Sequence, residues 1–149
     1  MTSLLILLLI SLTNPDLSSL RKLYLEASKD EAKANQLLVI ADQNSSVNPV
    51  YSGYKGAVKI ILAKHAFHPY TKWTLFSEGK DILESAIASD TNNVELIYLR
   101  LTIQMNAPNF LGYKSDIDSD RDYLENNINA VKDEELRIAV KKYLLKIKK

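Results

Sequence analysis

The chain has 149 residues, 46% hydrophobic and 25% charged, with a net charge of +1 and no cysteine. That length suits one domain with a real core. The near-zero charge argues against a protein built mainly to hold nucleic acid, and the missing cysteine excludes disulfides, thiolate catalysis and Cys-based metal sites.

Residues 1–13, MTSLLILLLISLT, form the sharpest compositional break, with uninterrupted Leu and Ile from Leu4 to Ile10. The run is shorter than the roughly 20 apolar residues of a membrane span and has the size of a signal-peptide core. No Lys or Arg precedes it, and Ser11-Leu12-Thr13 is a poor cleavage site. The expectation is a signal peptide over 1–13, one domain over 14–149, and a periplasmic or secreted location. The alternative is an N-terminal helix packed on the bundle.

From there the chain reads as helices. Asn14-Pro15 predicts a cap followed by a first-turn proline, with Leu17, Leu20, Tyr24 and Ala27 facing inward. Ser28 with Glu31 predicts a capping box opening a second helix that buries Ala34, Leu37, Leu38 and Ala41. After a loop over Gln43 to Val47, Asn48-Pro49 repeats the cap-proline start of a third helix, reaching to about Ala66. His68-Pro69 separates this from a fourth, where Phe76, Gly79, Leu83, Ala86 and Ile87 share one face. Lys80 and Glu84, one turn apart there, are placed to pair.

Asp90, Thr91, Asn92 and Asn93 stop the fourth helix and cap the fifth. Val94 to Met105 is apolar nearly all round, which predicts a central helix more buried than the others. It ends at Asn106-Ala107-Pro108. A loop, Asn109 to Ser115, leads to a sixth helix near Asp116 to Asn129. A seventh runs from about Glu134 to Lys146, with Leu136, Val140, Tyr143, Leu144 and Ile147 inward. No alternating run is long enough for a strand. The reading is all-α: an antiparallel helical-hairpin array of about seven helices.

The run Leu83 to Asn93, LESAIASDTNN, resembles the end of a tetratricopeptide repeat, where an Ala-aliphatic pair precedes Asp-Pro-x-Asn. Thr91 stands in the proline's place. Gly79 falls where that repeat has a small residue for close helix contact. One repeat is recognisable, and no clean period of about 34 residues runs through the chain. The pattern NPVYSGYKGA, FSEGKDILESAI and YLRLTIQMNAPNFLGY is also similar to a small uncharacterised family of bacterial secreted proteins, over most of residues 15–148. That resemblance implies fold and compartment and carries no activity.

The remaining motifs favour structural roles. Gly53 and Gly56 inside the third helix cost about 1 kcal/mol each against alanine, which points to close packing near Gly79 over ligand approach. His65 and His68 could share a metal by spacing. His65, however, continues the Tyr54, Val58, Ile61 stripe as a core histidine, and no third ligand follows. Asp116, Asp118, Asp120 and Asp122 alternate like a calcium loop, yet Arg121 and Asn127 stand where glycine and glutamate are needed. Carboxylates at a helix start are the plainer reading. Lys141, Lys142, Lys146, Lys148 and Lys149 read as a solvated face near a helix C-terminus. No Gly-x-Ser-x-Gly elbow or glycine-rich phosphate loop occurs, so no cofactor or metal is expected.

Arg100 and Gln104 lie one turn apart among apolar neighbours and must find acceptors. The carbonyls of the apolar loop Asn109-Phe110-Leu111-Gly112-Tyr113 are the expected ones. A functional reading adds Tyr51, Tyr54, Lys55 and Lys59 to Arg100, Gln104 and Tyr113, as a groove for an acidic or C-terminal peptide. The expectation is thus a non-catalytic monomeric binding module with a protein or peptide partner. It has no nucleic acid and no stable membrane span once the signal is removed. The alternative is a small enzyme or carrier with a Tyr- and Lys-lined pocket.

Overall fold

The computed structural model describes residues 16–148, so the apolar run 1–13, the Asn14-Pro15 start and Lys149 lie outside the described residues. The described residues form seven α-helices: α1 Leu17–Ala27, α2 Glu31–Gln43, α3 Pro49–His65, α4 Pro69–Ser89, α5 Val94–Asn106, α6 Ile117–Asn127 and α7 Glu134–Ile147. Single 3-10 turns stand at Asn109–Leu111 and Ile128–Ala130, and no strand occurs among the described residues. The protein is all-α, and no helix among the described residues is long and apolar enough to cross a membrane.

Short polar side chains set the starts. Asn48 accepts from the Val50 N–H at 2.8 Å ahead of Pro49, and Asn93 accepts from both Glu95 and Leu96 N–H groups. Two expected caps move. The cap of α1 is Asp16, whose carboxylate accepts from Ser18. The cap of α2 is Asp30 in place of Ser28. Asp30 sits immediately before the first helical residue, where its oxygen reaches two orphan N–H groups. Ser28 instead ends α1.

The α4 face read from the sequence is the buried one: Phe76, Gly79, Leu83, Ala86 and Ile87. Helix α3 makes the most extensive packing, against α4 first, then α2, α5 and α1. Where α3 meets α4 the glycines are needed. A Cβ on Gly56 would come within 2.6 Å of the Gly79 carbonyl oxygen and of the Leu83 nitrogen, and one on Gly79 within 2.6 Å of the Gly56 oxygen. Backbone thus lies on backbone there. Gly53 differs, because its added Cβ would meet only methyl groups of Leu96 and Leu99.

Nine of the thirteen residues of α5 are buried. Its Leu96, Leu99 and Ile103 join the core made with α1 to α4. Its Ile97, Tyr98 and Leu101 join a second core with Leu124, Ile128, Leu136, Val140 and Leu144 of the C-terminal part. Helix α5 is therefore a shared wall, which explains why it lacks a polar face. The hub of packing, however, is α3.

Two outcomes follow from this packing. Gly56→Ala should lower stability in urea denaturation by about 1–3 kcal/mol, since backbone cannot move aside. Gly53→Ala should cost less, because a leucine end can rotate and alanine favours the helix by about 1 kcal/mol. Leu99→Ala and Leu101→Ala, one in each core and both fully buried, should each cost about 2–5 kcal/mol.

Candidate functional site

Buried charge is handled by two arginines, each joining three helices. Arg21 of α1 forks onto Glu95 of α5, with Nε and Nη2 each 2.8 Å from a carboxylate oxygen. It also reaches Asp133, which caps α7, at 3.0 Å, and Glu135 at 3.4 Å. Tyr54 of α3 donates its hydroxyl to Glu95 at 2.7 Å. Glu95 is only 4% exposed, so it depends on this paired, charge-assisted set. Burial and the adjacent Glu95 carboxylate push the Tyr54 phenol well above its ordinary value.

Arg100 of α5 makes the second junction. It forks onto Asp120 of α6 at 2.8 and 2.7 Å and reaches Glu84 of α4 at 3.0 Å. Tyr113 donates to the other oxygen of Glu84. Gln104 donates to Asp116 at 3.0 Å and accepts that residue's backbone N–H at 3.2 Å. Burial raises the Asp120 carboxyl above the usual carboxylate value, with the Arg100 fork opposing it. At Asp116 burial acts the same way, but the Gln104 amide and the Arg100 charge outweigh it and hold that carboxyl below its ordinary value. Asp133 is also lowered, by the Leu136 backbone N–H in spite of some burial, with help from Arg21.

These contacts revise several expectations. Arg100 and Gln104 bond carboxylates and the Asp116 backbone N–H, not the carbonyls of the 109–113 loop, because a guanidinium gains more from charge-assisted partners. Asp120 is a buried partner of Arg100, and Asp116 makes no side-chain cap on α6; only Asp118, paired with Arg121 at 2.6 Å, stays exposed in the first turn. Glu84 serves Arg100 and Tyr113 and not Lys80, whose ammonium lies over the Tyr113 ring at 5.1 Å. His65 is half-buried and bonds the Ala27 carbonyl through Nε2 at 2.9 Å. His68 is exposed against Phe67.

A concavity lies elsewhere. An open groove of about 630 Å³ runs between the α2–α3 connection and α4, lined by Ser45, Ser52, Lys55, Asp81, Ser85 and Ser89 among others. The connection is held in place locally: Asn44 donates to the Ile40 carbonyl at 2.7 Å, and Ser52 to the Ser45 carbonyl at 3.0 Å. Lys55 pairs with Asp42 at 2.6 Å at its side, which lowers the Asp42 carboxyl.

The seven residues grouped from the sequence do not share one surface. Lys55 alone lines the groove. Tyr51, Tyr54, Gln104 and Tyr113 are buried, Lys59 bridges to Glu78 across α3 and α4 at 2.6 Å, and Arg100 belongs to the α4–α5–α6 junction. Arg21 and Glu95 are not singled out by the sequence, and Asp120 reads there only as a helix-start carboxylate. Glu95 carried one signal, a charge inside an otherwise apolar helix. Among the described residues no group of three or more histidines and acids is placed to hold a metal ion. Comparison with known protein families, curated proteins and solved structures finds no match.

Removing Arg100 leaves Asp120 buried without its partner, so Arg100→Ala should cost about 3 kcal/mol or more in urea denaturation. Lys55→Ala, which breaks an exposed pair, should stay within about 0.5–1 kcal/mol. The lowered carboxyls of Asp116 and Asp133 contribute stability above the unfolded value of about 3.9. That contribution is lost as pH falls through their lower folded values. Melting temperature should therefore fall on acidification, and less steeply in Asp116→Asn and Asp133→Asn variants.

Proposed function

We propose that the protein is a non-catalytic, tetratricopeptide-like helical binding module of the cell envelope, which engages a peptide or protein segment through a groove. The observation that carries this reading is the hydroxyl-lined groove beside α3 and α4, open along its length and bearing Lys55 and Asp81. Ser45, Ser52 and Ser89 donate their hydroxyls to the Asp42, Ser45 and Ala86 carbonyls, which leaves their oxygens to accept from a peptide backbone N–H. Lys55, paired with the exposed Asp42 at 2.6 Å, exchanges that partner for an acidic side chain or a C-terminal carboxylate.

Packing of successive helices, α1 on α2, α2 on α3 and α3 on α4, supports the hairpin-array reading, in which such grooves recur. The enzyme or carrier alternative gains little support. The groups raised by burial, Tyr24, Tyr54, Tyr98, Tyr113, Tyr143 and Asp120, lie within the helix packing and do not line the groove.

The test is selection from a library of peptides with free C-termini, followed by calorimetry on the selected sequences. The expected outcome is enrichment of acidic or carboxylate-terminated peptides, with affinity reduced about tenfold or more by Lys55→Glu, a charge reversal at the contact. Arg100→Lys should leave affinity unchanged. Enrichment of nothing, or binding indifferent to Lys55, would sink this reading.

A further inference from the structure

The turn between α3 and α4 departs from the rest of the surface. Every residue from Phe67 to Trp73 is exposed. Phe67 is 90% exposed, Tyr70 82% and Trp73 60%. Leaving three aromatic rings in water is costly, and their concentration on one short stretch marks a contact surface. Tyr70 and Trp73 are three residues apart on α4 and share a face. Pro69 in the first turn fixes the backbone that presents them. Trp73 is backed by the buried Phe76, 6.2 Å between centroids, which in turn meets the buried Tyr113 at 6.0 Å. Phe110, 86% exposed, lies three residues before Tyr113.

The charge of this tip is one-sided. From Gln43 to Ser77 the sequence contains no Asp or Glu. Lys55 and Lys59 in that stretch are neutralised by Asp42 and Glu78. Lys64 donates to the Ser28 carbonyl, and among the described residues neither Lys64 nor Lys72 has a carboxylate at ion-pair distance. The neighbouring α1–α2 turn carries Glu26, which pairs with Lys33, Asp30, which caps α2, and the exposed Glu31, with Lys29 among them. His68 makes no side-chain cap on α4, so the positive end of that helix adds to the lysines.

We propose that the α3–α4 tip, Phe67, Tyr70 and Trp73 with Lys64 and Lys72, docks on the interface of an anionic lipid bilayer. Trp and Tyr favour the headgroup level, Phe supplies apolar area, and Lys is drawn to anionic lipid. Shape favours lipid over a protein partner. The rings stand exposed at a turn and line neither the groove beside Lys55 nor a smaller one at Glu125, Asn129 and Lys141, and a bilayer takes exposed rings without a matching cavity. This site is separate from the groove of the proposed function and stands or falls by itself.

Trp73 is the chain's single tryptophan, so its emission reads the tip alone. The full chain is titrated with phosphatidylcholine vesicles, with or without phosphatidylglycerol, and with soluble glycerol phosphate. The expected result is a blue shift only with phosphatidylglycerol vesicles, quenched by brominated acyl chains and weakened by salt. Phe67→Ser with Tyr70→Ser should weaken partition about tenfold or more, and Lys72→Gln about fivefold. Circular dichroism checks that both variants keep the fold. An unshifted Trp73 overturns the proposal, even if the chain sediments with vesicles through another segment. So does an equal shift with phosphatidylcholine alone or with glycerol phosphate. A shift with polyglutamate but not with vesicles also overturns it and assigns the tip to an acidic protein.

Discussion

Helix α5 is a wall with a core on each side, and most of the structure follows from keeping charges inside that wall satisfied. A helix buried on both faces has no solvent side on which to place Glu95, Arg100 and Gln104. Each must be met by a side chain from another helix, because an unpaired charge in such a place costs several kcal/mol. Arg21 meets Glu95, and Asp120 meets Arg100, each by a two-pronged fork. The forks also recruit α7 through Asp133 and α4 through Glu84. No buried side-chain nitrogen or oxygen among the described residues is left without a partner.

These junctions set register more than they add stability. A buried ion pair is roughly balanced against a well-packed apolar replacement, whereas breaking one by losing a partner is costly. The two arginines therefore penalise packings in which α1, α6 or α7 slides along α5. The glycine contact of Gly56 and Gly79 does the same for α3 and α4 by sterics. One device uses charge and the other contact distance.

The interior so arranged ties its titratable side chains to one another. Tyr54, Tyr113, Glu84, Glu95 and Asp120 are bonded to one another or to arginine. Among the described residues two surface features stand apart from this interior: the serine-lined groove beside Lys55 and the aromatic tip at Phe67 to Trp73. They lie on different parts of α3 and α4 and differ in chemistry, one concave and hydroxyl-rich, the other exposed, aromatic and basic.

The sequence by itself determined the helices. Periodicity placed the buried face of α4 residue for residue, and Asn48-Pro49 and Asn93 marked starts, because both signals are local and each is read within a turn or two. It also showed that α5 is buried all round and that Gly53 and Gly56 need close neighbours. Tertiary structure alone decided the partners. Arg21 and Glu95 are separated by 74 positions and Arg100 and Asp120 by 20, and no local pattern links residues so far apart. For the same reason Tyr51, Tyr54, Lys55, Lys59, Arg100, Gln104 and Tyr113 looked like one site in the sequence. Side-chain type records what a residue can bond, while the packing of α3 against α4 and α5 decides whether it faces the core, a neighbouring carboxylate or water.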